Sequence, residues 1–246
     1  MKPNQPRIRM FAGPNGSGKS MLKTILKSEL LGAYINPDEI EKNIKHFGFL
    51  SLAEFGVEAD ESEILEYFLN SLLLKKANLV DEAKLLKFKD QKLDFSAVKI
   101  NSYFASVAAD FIRKKLMKNL RSFSFETVMS SEDKILLLKK ANELGYKTYL
   151  YFIATKKPSI NISRVKHRVS CGGHNVPKDK IISRYHRSID LLSEAIKNSW
   201  RAYIFDNSGS KEFLLAEAQN GKIIEIKTES VPAWFNKFVI KKLTRH

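Results

Sequence analysis

Short runs of β-favouring apolar residues alternate with segments of helical periodicity along most of the chain. The predicted strands are at 8–12, 33–35, 122–129, 147–155, 201–206 and 223–226. Parallel neighbours need a long crossover connection, which is usually a helix, so this alternation favours a mostly parallel sheet. The pattern therefore predicts an α/β fold.

Helical periodicity dominates the segments between these strands. Residues 51–121 are predicted to hold two or three helices, and we interpret the lysine-rich stretch 84–92 between them as a solvated helix face or a loop. Single helices are predicted over 20–30 and 176–198, and a basic amphipathic helix over 234–243. We expect one domain over 1–246, with 51–121 as a helical insertion.

The most specific motif follows the first predicted strand and precedes a predicted helix. It matches G-x-x-x-x-G-K-[ST] at every fixed position and comprises Gly13, Pro14, Asn15, Gly16, Ser17, Gly18, Lys19 and Ser20. Such a loop turns successive backbone N–H groups towards a polyphosphate, and the following helix adds the positive end of its dipole. We predict that this loop binds a nucleoside triphosphate, that Lys19 bridges the terminal phosphates and that Ser20 contacts Mg²⁺.

Three polar residues near the ends of predicted strands are candidates for the chemistry. Asp38 follows the strand at 33–35, at the sheet edge that carries the phosphate loop, where a carboxylate can accept the proton of an attacking hydroxyl. The alternative is that Asp38 caps a helix beginning at Glu39. Glu126 and Thr127 interrupt an apolar strand, and a buried carboxylate needs a metal, a substrate hydroxyl or a neighbouring lysine as its partner.

Two arginines stand four residues apart after the strand at 147–155. Arg164 and Arg168 share one face of a predicted helix, which Gly172 and Gly173 bring to an end. A closing lid that places guanidinium charge over a transferred γ-phosphoryl group needs this arrangement. The alternative is a solvated helix face.

With these residues in place, the chain resembles the zeta-toxin family of P-loop kinases, in particular its free-standing branch. The resemblance rests on the motifs at 13–20, 35–40, 125–127, 164–169, 172–177, 184–188 and 206–208. It implies a three-layer α/β/α P-loop kinase fold and a kinase that uses ATP and Mg²⁺ to phosphorylate a hydroxyl of UDP-N-acetylglucosamine.

The same resemblance implies a role for each matching position. Asp38 is similar to the family's catalytic base and Lys19 to its phosphate-loop lysine. Glu126 and Thr127 correspond to part of the substrate side, and Arg164 or Arg168 to a transition-state arginine. An antitoxin protein is the partner that the resemblance suggests.

The net charge and the number of cysteines limit the class of partner and the cellular compartment. Lys and Arg number 42 against 27 Asp and Glu, a formal net charge of +15, which favours an anionic partner: nucleic acid, a nucleotide, a sugar phosphate or a membrane surface. The single cysteine, Cys171, excludes an intrachain disulfide, and the first residues lack the apolar segment of a secretory signal. We expect a cytoplasmic protein without a membrane-spanning segment.

Three other functions compete with the kinase. An ATP-driven ABC-type module shares the phosphate loop, but the sequence lacks a Leu-Ser-Gly-Gly-Gln signature. Nucleic-acid binding or end phosphorylation agrees with the charge, but along the sequence the aromatic residues stand at core spacing and are not interleaved with Arg and Lys. A regulatory protein that binds ATP without catalysis is the third.

Overall fold

The computed structural model describes residues 5–173 and 175–244. The strands are β1 (Arg7–Ala12), β2 (Ala33–Ile35), β3 (Phe49–Ser51), β4 (Lys87–Lys89), β5 (Lys92–Asp94), β6 (Phe123–Thr127), β7 (Lys147–Ala154), β8 (Arg201–Asp206), β9 (Phe213–Gln219) and β10 (Lys222–Ile226). The α-helices are α1 (Lys19–Leu22), α2 (Pro37–Phe47), α3 (Glu61–Leu69), α4 (Leu72–Lys76), α5 (Val80–Ala83), α6 (Ser102–Lys118), α7 (Asp133–Glu143), α8 (Pro158–Ser170), α9 (Lys178–Asp190), α10 (Leu192–Lys197), α11 (Ala233–Phe235) and α12 (Lys241–Leu243). A π-helix spans Asn236–Ile240.

The chain divides into two compact units. The first comprises residues up to 31 together with those from 124 onward, and the second comprises residues 32–123. Within the first unit the strands of the main sheet run in the order β10-β9-β8-β7-β1-β6. Strand β7 is parallel to both β1 and β8, whereas β9 is antiparallel to β8 and to β10. The predicted α/β fold with a mostly parallel central sheet is confirmed.

The core of the first unit covers both faces of this sheet. The completely buried side chains are Ile8, Met10, Leu150, Phe152 and Ile204 on one face, and Phe11 and Ile153 on the other. Burying an apolar side chain of this size contributes roughly 1.5–3 kcal/mol, so these strands are stabilised by packing as well as by their ladder hydrogen bonds. The result is a rigid platform for the loops at the carboxyl ends of β1, β7 and β8.

The lysine-rich stretch is a β-hairpin, so its interpretation as a helix face or loop is wrong. Strands β4 and β5 pair antiparallel, and Phe88 and Leu93 face each other on the buried side. Asp90 and Gln91 form the connecting turn with φ of 51° and 58°, the left-handed conformation that two-residue hairpin loops require. The apolar residues alternate with lysines, which is the period of a strand, and this local pattern decides the structure.

Other predicted helices are shorter than expected. The helix predicted over 20–30 is α1 followed by two 3₁₀ turns, because Leu26 adopts an extended backbone with φ −101° and ψ 147°. The helix predicted over 176–198 is divided at Leu191 into α9 and α10.

Strand β9 was not predicted from the sequence; it joins β10 through a turn in which Asn220 and Gly221 have positive φ. Among the described helices, none combines the length and apolar character needed to cross a bilayer.

The second unit contains a three-stranded antiparallel sheet, in the order β3-β5-β4, and the helices α2 to α6. Three buried aromatic rings, those of Phe68, Phe95 and Phe104, pack with centroids 6.1–6.4 Å apart. Helix α6 also carries Asp110, which accepts a hydrogen bond from the hydroxyl of Tyr67 on α3. An apolar cluster and a polar contact thus hold these helices together.

Asp110 makes the stability of the second unit dependent on pH. Burial would raise the pKa of Asp110, but Arg113, the Tyr67 hydroxyl and Lys114 outweigh it and lower the pKa to about 2. Its folded pKa lies below the ordinary value of 3.8, so this stability is present above 3.8 and is lost as the pH falls through about 2. We expect Asp110→Asn to lower the unfolding free energy at neutral pH by about 1 kcal/mol.

Urea unfolding at several pH values checks this expectation. The difference from the wild type should shrink between pH 3.8 and about 2, whereas the variant Glu58→Gln, at an exposed carboxylate, should show no such convergence. A difference that stays constant over this range would contradict the assignment.

Candidate phosphate-binding site

The loop between β1 and α1 has a backbone that only glycine fits at two points. Gly13 has φ of 149°, and a Cβ there would lie 2.1 Å from the carbonyl oxygen of Ile153. Gly16 has φ of 74°, and its Cβ would lie 2.6 Å from the carbonyl oxygen of Asn161. Both distances are far below van der Waals contact, so the loop lies directly against β7 and α8.

Two asparagine side chains hold this loop from outside. The amide nitrogen Nδ2 of Asn161, on α8, donates to the carbonyl oxygen of Asn15 at 2.7 Å. Nδ2 of Asn207, immediately after β8, donates to the carbonyl oxygen of Ser17 at 2.8 Å. Both asparagines are buried, and Asn207 is itself fixed through its backbone N–H to Ala154 at 2.8 Å. We call Asn161 and Asn207 the amide clamps.

The amide clamps orient the peptide planes of the loop. The described backbone contains no cis peptide bond, and in a trans peptide the N–H points away from the carbonyl. The N–H groups of Gly16 and Gly18 therefore point to the side of the loop opposite the clamps. Two side-chain oxygens of the loop, Asn15 Oδ1 and Ser17 Oγ, are buried without a hydrogen-bond partner. Oriented N–H donors of this kind are suited to a bound anion. The unpaired Ser17 hydroxyl can also donate, whereas the amide oxygen of Asn15 only accepts hydrogen bonds.

The amide clamps were missed by the sequence reasoning and give a direct test. We expect Asn207→Ala to raise the Kd for ATP about three- to tenfold, because one hydrogen bond that fixes the loop is lost. Isothermal titration with ATP measures the change, and Asn43→Ala, at an exposed position of α2, is the matched control. An unchanged Kd in the Asn207 variant would show that the clamp has no influence on binding.

Lys19 and Ser20 occupy the start of α1. Lys19 Nζ donates to the carbonyl oxygens of Gly13 at 3.0 Å and Pro14 at 3.1 Å, so its ammonium group lies over the loop. The Ser20 hydroxyl donates to Oε2 of Glu126 at 3.4 Å. The Glu126 side chain lies at the end of β6 and is only 7% exposed. The structure thus brings together the predicted phosphate-binding lysine, the predicted Mg²⁺ contact and a buried carboxylate.

Thr127 contacts the loop through its backbone. Its carbonyl oxygen accepts the N–H of Gly13 at 3.3 Å, and its hydroxyl oxygen accepts the N–H of Met129 at 3.1 Å. The second contact closes a local turn after β6, in which Met129 has φ of 54°. The end of β6 therefore lies next to the first residue of the phosphate loop, and the contact of Thr127 with substrate stays a prediction.

The two candidate arginines of α8 differ in their surroundings. Arg164 is half-buried, and its Nη2 donates to the carbonyl oxygen of Gly209 at 3.2 Å and weakly to Oδ1 of Asn207 at 3.5 Å. Its Nη1 is buried without a hydrogen-bond partner. Arg168 is exposed one turn later. Arg164 thus lies beside an amide clamp with one donor nitrogen available.

Helix α8 ends just before Gly172 and Gly173, as predicted from these two glycines. Gly172 has φ of 83° and donates to Val169 at 3.0 Å, and Gly173 donates to Arg168 at 2.9 Å. These two bonds form a Schellman motif, which terminates a helix through a left-handed residue.

Asp38 lies in the second unit, at the second position of α2. The helix begins at Pro37, and Asn36 is its N-cap, whose side-chain oxygen accepts the N–H of Asp38 at 2.9 Å. The alternative in which Asp38 caps a helix starting at Glu39 is therefore wrong. The cap is supplied by Asn36, and the Asp38 side chain is exposed, so capping does not account for an aspartate at this position.

No protein-family model matches the sequence. An uncharacterized protein of Haemophilus influenzae is 35% identical over 63 residues, which are 26% of this chain and 45% of that protein. Among solved structures, the crystal structure of AvrRxo1-ORF1:AvrRxo1-ORF2 with sulphate ions matches 96% of this chain and 64% of the other, with a TM-score of 0.56 and 15% identity. The structure of this complex with ATP matches 92% and 61%, with a TM-score of 0.54 and 16% identity.

This chain spans less than two thirds of the length of each of these proteins. At such identities the structural likeness concerns the fold. The chain shares the fold of these structures, an α/β fold with a mostly parallel sheet, as the sequence pattern predicted.

Proposed function

We propose that this chain is an ATP-dependent kinase that transfers a phosphoryl group to a hydroxyl of a nucleotide-activated sugar, with UDP-N-acetylglucosamine as the first candidate. The observation that carries this proposal is the clamped loop, in which Asn161 and Asn207 turn the N–H groups of Gly16 and Gly18 away from them. ATP in the AvrRxo1-ORF1:-ORF2 structure of the same fold supports ATP as the nucleotide.

Mg²⁺ fits the oxygens at the start of α1. The ion prefers oxygen ligands and is usually held by one or two protein groups together with phosphate oxygens and water. The Ser20 hydroxyl and the Glu126 carboxylate, 3.4 Å apart, would hold it beside the phosphate loop. When bound, the ion neutralises charge on the transferred phosphate. Glu126, assigned by resemblance to the substrate side, is in this proposal shared between the metal and the acceptor.

The cationic side chains bind the phosphates. Lys19 at present donates to two neutral carbonyl oxygens, and phosphate oxygens would replace these with stronger, charge-assisted hydrogen bonds. Nη1 of Arg164 supplies a donor to the transferred group, and Arg168 adds positive charge one helical turn further on. The roles follow from the chemistry of these groups and from their position along the loop and α8.

Asp38 is the proposed general base, and Thr127 the proposed acceptor contact together with Glu126. A carboxylate at the amino end of α2 would accept the proton of the acceptor hydroxyl as its oxygen bonds to the γ-phosphorus and the bond from that phosphorus to the β,γ-bridging oxygen breaks, releasing ADP. We further propose an antitoxin-like protein as a regulator, since the structures of the same fold are complexes of two proteins.

One labelling experiment tests the proposal. Purified protein is incubated with γ-labelled ATP, Mg²⁺ and, separately, UDP-N-acetylglucosamine, other UDP-sugars, nucleosides and oligonucleotides. We expect label on a UDP-sugar. Label at oligonucleotide ends would identify a polynucleotide kinase instead, and ADP release without any labelled acceptor would favour an ATPase.

A further inference from the structure

One face of the main sheet carries cations and aromatic rings in alternation, away from the phosphate loop residues. We define the sheet-face patch by residues of β1, β7 and β8 and the residue before β8: Arg9, Lys147, Tyr149, Trp200, Arg201 and Tyr203. Arg9 is the register partner of Tyr149, which is in turn the partner of Arg201. Partners in register point to the same face, so these three form one row across the strands.

The row lies on the face of the sheet opposite α7, towards the amino-terminal ends of β1, β7 and β8. Thr148, next to Tyr149, points to the other face, where its hydroxyl donates to Oδ1 of Asn142 on α7 at 2.9 Å. Tyr149, Arg201 and Tyr203 are half-buried, and so are Lys147 and Trp200. The patch therefore retains accessible ring and guanidinium surface on the face that α7 leaves uncovered.

Each cation of the patch lies against a ring. The guanidinium carbon of Arg9 is 5.3 Å from the ring centroid of Tyr149, and that of Arg201 is 5.8 Å from the ring of Tyr203. Lys147 Nζ is 4.5 Å from the ring of Trp200. These distances are within the range of cation–π contacts, so the rings and charges are held in a fixed arrangement.

The patch has an excess of positive charge. Arg9 is 5% exposed, and burial lowers the pKa of its guanidinium. The groups that act on Arg9 are Tyr151, Tyr149 and Arg7, and none is a carboxylate. Glu217 on β9 is the register partner of Tyr203 and forms an ion pair with Arg201 Nη2 at 3.8 Å. One acidic side chain thus stands against several cations, which makes the face complementary to a polyanion.

We infer that the sheet-face patch binds single-stranded nucleic acid, with phosphates on the half-buried cations Lys147 and Arg201 and bases on the rings of Tyr149, Trp200 and Tyr203. Every base has a flat face that stacks on an aromatic ring, whereas a duplex keeps its base faces inside. On this face aromatic residues and cations do alternate, contrary to the expectation from the sequence. Part of the alternation is local, as in Trp200-Arg201-Ala202-Tyr203, and part arises between β1, β7 and β8, which are distant in the chain.

Fluorescence anisotropy of the full chain with short labelled oligouridylate and oligothymidylate, without ATP, tests the inference. We expect the double variant Tyr149→Leu with Tyr203→Leu to bind about tenfold more weakly or worse, because two stacking rings are lost. Arg201→Gln should also reduce the slope of log K against log salt by about 0.7, the value for one phosphate contact with a single strand.

Two controls separate the patch from general attraction. Phe47→Leu removes a ring that is 61% exposed in the second unit, and Lys84→Gln removes an exposed cation there. Neither should change binding by more than a small factor, and ATP affinity of all four variants, measured separately, reports an intact phosphate loop. The inference would be overturned by any of three results. The control variants could lose as much affinity for the oligonucleotide as the patch variants, or the patch variants could bind it as tightly as the wild type. Polyglutamate could also compete for binding as strongly as polyuridylate.

Discussion

Replacing Lys19 with methionine is expected to reduce phosphoryl transfer by about a hundredfold or more, because the charge that stabilises the transferred phosphate is removed. Lys19 Nζ lies 3.0 and 3.1 Å from the carbonyl oxygens of Gly13 and Pro14, directly over the loop. Methionine keeps the length of the side chain and its apolar stem. Transfer of label from γ-labelled ATP measures the loss, and thermal unfolding confirms that the variant remains folded.

A matched control distinguishes this effect from a general loss of charge. Lys27→Met removes an exposed cation only eight residues further along the chain, and its transfer rate should equal that of the wild type. If the Lys19 variant turned over normally, or if both variants lost activity equally, the assignment of Lys19 to the phosphate would be wrong.

Asp38→Asn is expected to lower the transfer rate by about 10²–10⁴-fold, the usual contribution of a general base, while the Kd for ATP stays the same. The amide is nearly isosteric with the carboxylate but accepts no proton. The cap of α2 should survive, because Asn36 supplies it through the backbone N–H of Asp38 at 2.9 Å. Rate and ATP affinity measured on the same preparation separate catalysis from binding.

The neighbouring carboxylate provides the comparison for Asp38. Glu39→Gln changes the same charge in the same first turn of α2 and should leave the rate nearly unaltered. If the Asp38 variant bound ATP more weakly, and this weaker binding accounted for the whole loss of rate, a role of Asp38 in proton transfer would be contradicted.

The parts of the fold that were predicted correctly depend on neighbours in sequence. The phosphate loop lies between strand and helix as its motif requires, because glycine, lysine and serine at fixed spacing determine the local backbone. Strand β8 was predicted with its observed bounds, Arg201–Asp206. The end of α8 at Gly172 and Gly173 was likewise predicted from residues that adopt the terminating conformation themselves.

The missed features depend on contacts between distant segments. Asn161 is a buried polar residue on the apolar stripe of α8, one turn before Val165, and that departure from the stripe was the signal available in the sequence. It does not indicate the partner, since the carbonyl of Asn15 is reached only when α8 packs against the loop. Asn207 is similar: it follows a strand, as many turn residues do. The β4–β5 hairpin had a period-two pattern that the lysine content obscured.

The most direct test of the central claim is a crystal structure with a non-hydrolysable ATP analogue and Mg²⁺. We expect phosphate oxygens within hydrogen-bond distance of the N–H groups of Gly16 and Gly18 and of Lys19 Nζ, with the metal beside Ser20 and Glu126. A nucleotide bound elsewhere, with the loop at 13–20 making no contact to phosphate, would contradict it.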